Sequence, residues 1–157
     1  MGIAFASALF LIACSETSRS TVVQNPVPAV KAALMLSDSA PPVGGALVVS
    51  VQALADQGTV GSYTAKINYD AAALRFDGEI AISDQALRAS NSLPGLIRFA
   101  GAAATGFTNG RLASYRFVVL RANSTKTLSL AVDEMHMITR LDAKTGLIVA
   151  PNSTTLR

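Results

Sequence analysis

The sequence predicts an all-β protein, a sandwich of nine short strands preceded by a leader and a flexible tether. Beyond residue 31, apolar segments rich in Val, Ile, Leu, Tyr and Phe are separated by clusters of Gly, Pro, Asn and Asp. Several of these segments alternate apolar with polar side chains, as half-buried strands do. No segment of ten or more residues has the periodicity of a helix, so an α/β layer architecture is not expected.

The nine predicted strands share this apolar character and are bounded by turn residues. They cover residues 32–36, 46–54, 62–69, 74–82, 96–102, 112–120, 127–132, 135–139 and 146–149. Period-two alternation directs Tyr63 and Tyr115 toward the core and directs Lys66 and Arg116 outward. Residues 83–88 are expected to form a single helical turn.

The N-terminus has the features of an export signal. Residues 3–13 (IAFASALFLIA) have the length of a signal-peptide apolar region and are too short to span a bilayer. They end in Leu11-Ile12-Ala13-Cys14, which resembles the bacterial lipobox. The resemblance implies removal of residues 1–13, lipidation of Cys14, and placement in the cell envelope, at the outer membrane or cell surface. The alternative is an ordinary secretory signal in which Cys14 is incidental.

Residues 14–30 are polar and then punctuated by proline, without a helical or alternating pattern, and are expected to be a tether. The domain proper is predicted over residues 31–157. The formal charge of +3 comes from dispersed residues with no run of Lys or Arg, which makes nucleic acid an unexpected partner. The one cysteine lies in the leader, so the domain is predicted to have no disulfide or thiolate metal site.

Candidates for catalysis are few. His136 is the single histidine, and it is expected to point outward between the core-facing Met135 and Met137. Two close carboxylate pairs exist, Asp77 with Glu79 and Asp133 with Glu134, and neither pattern favours glycoside hydrolysis. Adjacent Asp133 and Glu134 would point to opposite faces of a strand. We therefore predict no enzyme activity, no metal and no cofactor.

Four passages carry a resemblance to a known family. They are residues 60–70 (VGSYTAKINYD) followed by 73–76 (ALRF), residues 95–101 (GLIRFAG) followed by 105–106 and 110–117 (GRLASYRF), the opening stretch 42–51, and the closing 133–134 with 146–148. Together they resemble the cohesin-like domain, a nine-stranded jelly-roll sandwich related in fold to some carbohydrate-binding modules. The resemblance covers roughly residues 31 to 150.

Cohesin domains capture dockerin modules to assemble polysaccharide-degrading complexes, and they use the outer face of one sheet. The resemblance implies a non-catalytic module that captures a protein partner, dockerin-type or other, with a link to polysaccharide catabolism. It implies that the partner is bound by the outward polar residues Lys66, Asn68, Arg98, Ser114 and Arg116. The alternative is that these residues belong to an ordinary solvated sheet face.

Two other functions are kept open. A carbohydrate-binding module would need exposed aromatic rings to stack on sugars, and the chain has no Trp. Phe107, in a loop, is the one ring expected to be free for sugar stacking, unless it packs over one end of the sandwich. A structural envelope lipoprotein without a dedicated ligand is the second alternative.

Overall fold

The computed structural model describes residues 28–121, 126–149 and 153–156. The predicted leader, the lipidation site at Cys14 and most of the predicted tether lie outside the described residues. The described part contains ten strands and one short 3-10 turn, Thr108–Gly110. The strands are β1 (Val30–Leu36), β2 (Ala46–Ala55), β3 (Val60–Tyr69), β4 (Leu74–Glu79), β5 (Leu87–Leu93), β6 (Leu96–Ala102), β7 (Arg111–Val119), β8 (Lys126–Met137), β9 (Leu147–Val149) and β10 (Ser153–Leu156).

The strands form two five-stranded sheets that pack face to face. Sheet A has the order β4-β7-β2-β1-β9, and sheet B has the order β10-β8-β3-β6-β5. All pairs are antiparallel except β1 with β9, which is parallel. The predicted all-β sandwich is therefore confirmed.

The core lies between the two sheets and follows the alternation of the sequence. Tyr63, Ala65 and Ile67 of β3 and Tyr115 and Phe117 of β7 are all buried, because every second residue of a strand points to the same face. Facing rings meet edge to face, and Phe99 on sheet B lies 5.5 Å from Tyr115 on sheet A between ring centroids. Packing of this kind leaves the alternate residues on the outer faces.

The strand β5 was not predicted from the sequence. The expected helical turn over residues 83–88 is wrong, since residues 83–85 form a bend and β5 begins at Leu87. Six of the seven residues of β5 are exposed and the seventh is Arg88, so its sequence has no apolar alternation. The strand is instead held by a regular antiparallel pairing with β6 through the two-residue turn Pro94-Gly95, in which Gly95 has φ 81°.

The predicted strands over 127–132 and 135–139 are one strand, β8, with a bulge. The register against β3 shifts between Thr64, which faces Glu134, and Ala65, which faces Val132, so Asp133 is the extra residue. β10 was not predicted, and β4 ends at Glu79 rather than at residue 82. None of the described helical segments is long and apolar enough to cross a bilayer.

Candidate functional site

The residues predicted to bind a partner lie on two opposite faces of the sandwich. Lys66 and Asn68 are on β3 and Arg98 is on β6, and all three point outward from sheet B. Ser114 and Arg116 are on β7, which pairs with β2 and β4 and belongs to sheet A. The prediction of one common binding face is therefore wrong, because alternation separates inward from outward residues but does not assign a strand to a sheet.

The two residues on sheet A have partners of their own. The Ser114 side chain is buried, with 5% exposure, and its hydroxyl lies 3.0 Å from the hydroxyl of Ser50. Arg116 is exposed and its Nε lies 3.1 Å from a carboxylate oxygen of Asp77. Ser114 is therefore not accessible to a partner, and Arg116 faces away from Lys66 and Arg98.

On sheet B the two basic residues of the predicted set lie on neighbouring strands, in a short row that Asn91 extends onto a third strand. Lys66 lies opposite Arg98, and Arg98 lies opposite Asn91 of β5. The Lys66 ammonium donates a hydrogen bond of 3.1 Å to the Asp133 carboxylate, which the bulge of β8 directs to the outer side. Arg98 is exposed and forms no ion pair within the described part of the chain. The row therefore presents one neutralised and one uncompensated cation.

Beside this row the outer face of sheet B has a shallow trough of about 420 Å³. Its floor consists of small side chains, and it is bounded by Leu87 of β5 on one side and by Glu134 and His136 of β8 on the other. The floor residues are Ser62, Thr64, Ala89, Ala100, Gly101 and Ala102. The trough was not foreseen because β5 was not predicted. The run of small residues Ala100-Gly101-Ala102 at the end of β6 is the signal that could have indicated it.

The wall formed by β5 is fixed from beneath by Arg88. Its side chain turns inward, where Nε donates a hydrogen bond of 2.7 Å to the carbonyl oxygen of Leu112 and Nη2 donates one of 2.7 Å to Asp84. The guanidinium also lies 5.3 Å from the centroid of the Phe107 ring. The hydrogen bond from Arg88 lowers the pKa of Asp84 to about 2, so this carboxylate stays charged near neutral pH.

Phe107 is not available for sugar stacking. It is 2% exposed and packs against Tyr63, with ring centroids 5.0 Å apart. The expectation of a free ring is therefore wrong, and the alternative, a ring packed at the end of the sandwich, is correct. Among the described residues no aromatic side chain is exposed, because the remaining rings lie in the core or, for Phe76, against it.

The titratable residues of the described chain do not converge. His136 is half-buried on the outer face of sheet B, between the buried Met135 and Met137, as predicted. Glu79 accepts a hydrogen bond of 2.6 Å from Ser90, while Asp77 is paired with Arg116. Within the residues that the structure describes, no three His, Cys, Asp or Glu side chains come close enough to hold a metal ion.

The carboxylates of β8 share a face, contrary to the expectation that neighbours on a strand diverge. Glu134 lines the trough and Asp133 accepts the hydrogen bond from Lys66, so both lie on the outer side of sheet B. The bulge at Asp133 is the cause, because an extra residue interrupts the alternation.

Several solved structures with the same architecture are cohesin domains. A type II cohesin domain from the cellulosome of Acetivibrio cellulolyticus is 15% identical and superposes with a TM-score of 0.64 over 83% of this chain and 95% of that chain. A non-cellulosomal cohesin from the archaeon Archaeoglobus fulgidus is 19% identical, with a TM-score of 0.61 over 76% of this chain and 86% of that chain.

A third structure was solved with its partner bound. The sixth cohesin of Acetivibrio cellulolyticus scaffoldin B, in complex with a mutant Cel5 dockerin, is 15% identical, with a TM-score of 0.60 over 84% of this chain and 100% of that chain. No family model and no curated protein sequence matches this chain. At these identities the likeness establishes the fold, which is that of a cohesin domain.

Proposed function

We propose that this chain is a non-catalytic binding module that captures a protein partner on the outer face of sheet B. The observation that carries the proposal is the trough bounded by Leu87, Glu134 and His136, with the uncompensated Arg98 beside it. A floor of small residues, among them three alanines and a glycine, accepts apolar groups at close approach, and a free guanidinium beside it supplies direction and specificity.

The chemistry of the trough indicates the partner's contact surface. Such a partner presents apolar side chains to the floor, a carboxylate to Arg98 and a cation or hydrogen-bond donor to Glu134. The cohesin fold, seen elsewhere with a dockerin bound, supports a dockerin-type module as the first partner to test. We further propose that this partner belongs to a protein that degrades polysaccharide.

Two arginines provide a matched test of the binding face. Arg98 and Arg116 are both exposed and both point outward, one from sheet B and one from sheet A. The full chain is used as bait for a panel of purified dockerin modules, with Arg98→Glu and Arg116→Glu as variants. We expect charge reversal at Arg98 to weaken capture by tenfold or more and reversal at Arg116 to leave it unchanged. Equal loss for both variants, or loss for Arg116→Glu alone, would refute sheet B as the binding face.

A second variant tests the floor of the trough rather than its charge. Ala100 is half-buried in the trough, so Ala100→Trp fills the space without altering the charge of the face. We expect capture to be lost although the protein remains folded by circular dichroism. Retention of the wild-type chain on insoluble polysaccharide, without capture of any dockerin, would instead support the carbohydrate-binding alternative.

Attachment to the cell envelope is a separate proposal that rests on the sequence. The lipobox-like Leu11-Ile12-Ala13-Cys14 supports lipidation at Cys14. Metabolic labelling with an alkyne fatty acid in a bacterial host is expected to label the wild-type chain and not Cys14→Ser. Equal labelling of the two chains, or none of either, would remove the anchor and leave the binding proposal intact.

A further inference from the structure

β5 is an edge strand of sheet B, and none of the described strands pairs with its outer edge. Its seven residues pair with β6 without interruption, from Leu87 opposite Ala102 to Leu93 opposite Leu96. The other outer strands in the described part are bulged or short: β4 shifts register near Gly78, β9 has three residues and β10 has four. β5 thus offers a long regular edge without the bulge or proline that usually blocks edge pairing.

The hairpin determines which backbone groups of β5 point outward. Leu93 and Leu96 flank the two-residue turn Pro94-Gly95, so they form the closing hydrogen-bonded pair. Hydrogen-bonded and non-hydrogen-bonded pairs alternate along antiparallel strands. The N–H and C=O groups of Arg88, Ser90 and Ser92 therefore point away from β6, toward the free edge.

β5 has a leucine at the same distance on either side of Ser90. Leu87 and Leu93 lie three residues to either side of it, and both are exposed, at 77% and 56%. If a second copy pairs antiparallel with Ser90 opposite Ser90, each Leu87 lies opposite the Leu93 of the other copy. These are non-hydrogen-bonded pairs on the outer face, where cross-strand side chains approach most closely.

We propose that this chain forms a two-fold dimer by antiparallel pairing of β5 with β5 of a second copy. The pairing unites the two copies of the five-stranded sheet B and satisfies the outward backbone groups of Arg88, Ser90 and Ser92 in both copies. It also covers both exposed leucines of each copy. The resulting axis is perpendicular to the sheet, so the outer faces of the two copies lie on the same side.

The charges near the axis permit this pairing. Arg88, the one charged residue of β5, turns inward and is paired with Asp84 at 10% side-chain exposure, so it brings no net charge to the edge. The Glu79 carboxylate accepts a hydrogen bond from the hydroxyl of Ser90, the residue at the proposed axis, so it lies close to that axis on the inner side. Two such carboxylates repel each other, and we expect the dimer to tighten as salt is raised.

The dimer would lengthen one wall of the trough. The dimer proposal itself does not depend on which ligand the trough binds. Leu87 bounds the trough, so Leu93 of the second copy would extend that wall. Two troughs would then face the same side of one continuous sheet. A partner with two binding segments would be held by both copies at once, with a gain in avidity.

Cross-linking tests the register directly. Chains carrying Cys14→Ser and Ala89→Cys are mixed with chains carrying Cys14→Ser and Asn91→Cys, because the proposed pairing sets these positions opposite each other. Their Cα atoms are expected about 4.5 Å apart, within the range of a disulfide. The matched control replaces the Asn91→Cys chain with a Ser39→Cys chain, whose cysteine is exposed in the connection between β1 and β2, both strands of sheet A. Equal cross-linking in the control would overturn the proposal.

Sedimentation of the full chain tests the edge itself. Ser90→Pro removes an N–H that has no backbone partner among the described residues of one copy, whereas Ser90→Ala removes the hydroxyl and keeps the N–H. We expect the wild type and Ser90→Ala to sediment at twice the mass of 16.2 kDa at tens of micromolar, and Ser90→Pro to sediment at that mass. A monomeric wild type, or a Ser90→Pro dimer as stable as the wild type, would refute the pairing. If Ser90→Pro fails to fold by circular dichroism, the cross-linking result decides.

Discussion

Tyr63 and Arg88 bind the same atom, the carbonyl oxygen of Leu112. The Tyr63 hydroxyl donates at 2.8 Å from β3 and the Arg88 Nε donates at 2.7 Å from β5, both across the interface from sheet B to β7 of sheet A. Burial raises the pKa of Tyr63 well above its ordinary value, so the phenol remains a hydrogen-bond donor near neutral pH. A carbonyl with two acceptor positions thereby joins the two sheets beneath the proposed binding face.

The first prediction concerns this shared carbonyl. Tyr63→Phe removes one donor and is expected to cost about 1 kcal/mol of unfolding free energy. Arg88→Ala should cost more, because it also removes the partner of Asp84 and the contact with Phe107. Since the two donors share one acceptor, the double variant should deviate from additivity by about 0.5 kcal/mol or more. Urea unfolding of the four proteins measures the cycle, and strict additivity would show that the two hydrogen bonds are independent.

The strands that the sequence predicted are those with apolar alternation, and the missed strand shows why alternation is not enough. β3 and β7 alternate core and surface residues, and their inward positions were predicted correctly. β5 has Arg88 and Ser90 on its inner side, so no apolar period reveals it. β5 is held by its pairing with β6 and by the polar contacts of Arg88. These contacts are an ion pair with Asp84 and a hydrogen bond to Leu112, and Leu112 is distant from Arg88 in the sequence.

The second prediction is a pH dependence that originates at Asp84. Its pKa in the folded protein is about 2, mainly because Arg88 donates hydrogen bonds to it, whereas an unfolded Asp titrates near about 3.9. A lowered pKa stabilises the fold above about pH 4, and this contribution is lost as the pH falls toward about 2. We expect Asp84→Asn to melt below the wild type at neutral pH.

The difference between these two melting temperatures is the quantity that isolates Asp84, because other acids titrate in both proteins. Thermal unfolding between about pH 6 and about pH 2 should show the difference shrinking toward zero at the acidic end. A difference that stays constant across this range would mean that the charge of Asp84 does not contribute to folding.

The third prediction concerns Phe107, whose ring is buried beneath Arg88 and against Tyr63. Phe107→Ala leaves a cavity and is expected to cost about 3 kcal/mol or more of unfolding free energy. Phe107→Leu, which keeps most of the apolar volume, should cost less. Chemical denaturation compares the three proteins. A loss below about 1 kcal/mol for Phe107→Ala would indicate that the ring is not packed as described.

The candidate site was predictable only in part, and Arg116 illustrates the reason. Its outward orientation follows from the alternation of β7, as that of Lys66 follows from the alternation of β3. Which of the two sheets each strand joins is set by pairing between segments far apart in sequence, and this left Arg116 on the face opposite Arg98. Predicting the trough requires knowing which sheet each strand joins and knowing that β5 exists. Its boundary at Leu87 could therefore not be inferred from residue patterns.

The fourth prediction tests the contact between Gly101, in the floor of the trough, and the ring of Tyr63 beneath it. Gly101 lies opposite Tyr63, and a Cβ at Gly101 would stand 2.8 Å from the Tyr63 hydroxyl and ring edge. The ring cannot withdraw without breaking its hydrogen bond to Leu112. We expect Gly101→Ala to destabilise the domain by about 1 to 3 kcal/mol through overpacking, although alanine is otherwise the better residue in a strand.

A neighbouring position gives the control for this variant. Ala102→Gly removes a Cβ from an exposed residue of the same strand and should cost only about 0.5 to 1 kcal/mol, the ordinary cost of a glycine in a strand. Adding Tyr63→Leu to Gly101→Ala removes the ring edge and should make the alanine nearly neutral relative to Tyr63→Leu alone. Unfolding free energies of these variants measure both effects. If Gly101→Ala is as stable as the wild type, the ring of Tyr63 does not contact Gly101, and the packing described beneath the trough floor is wrong.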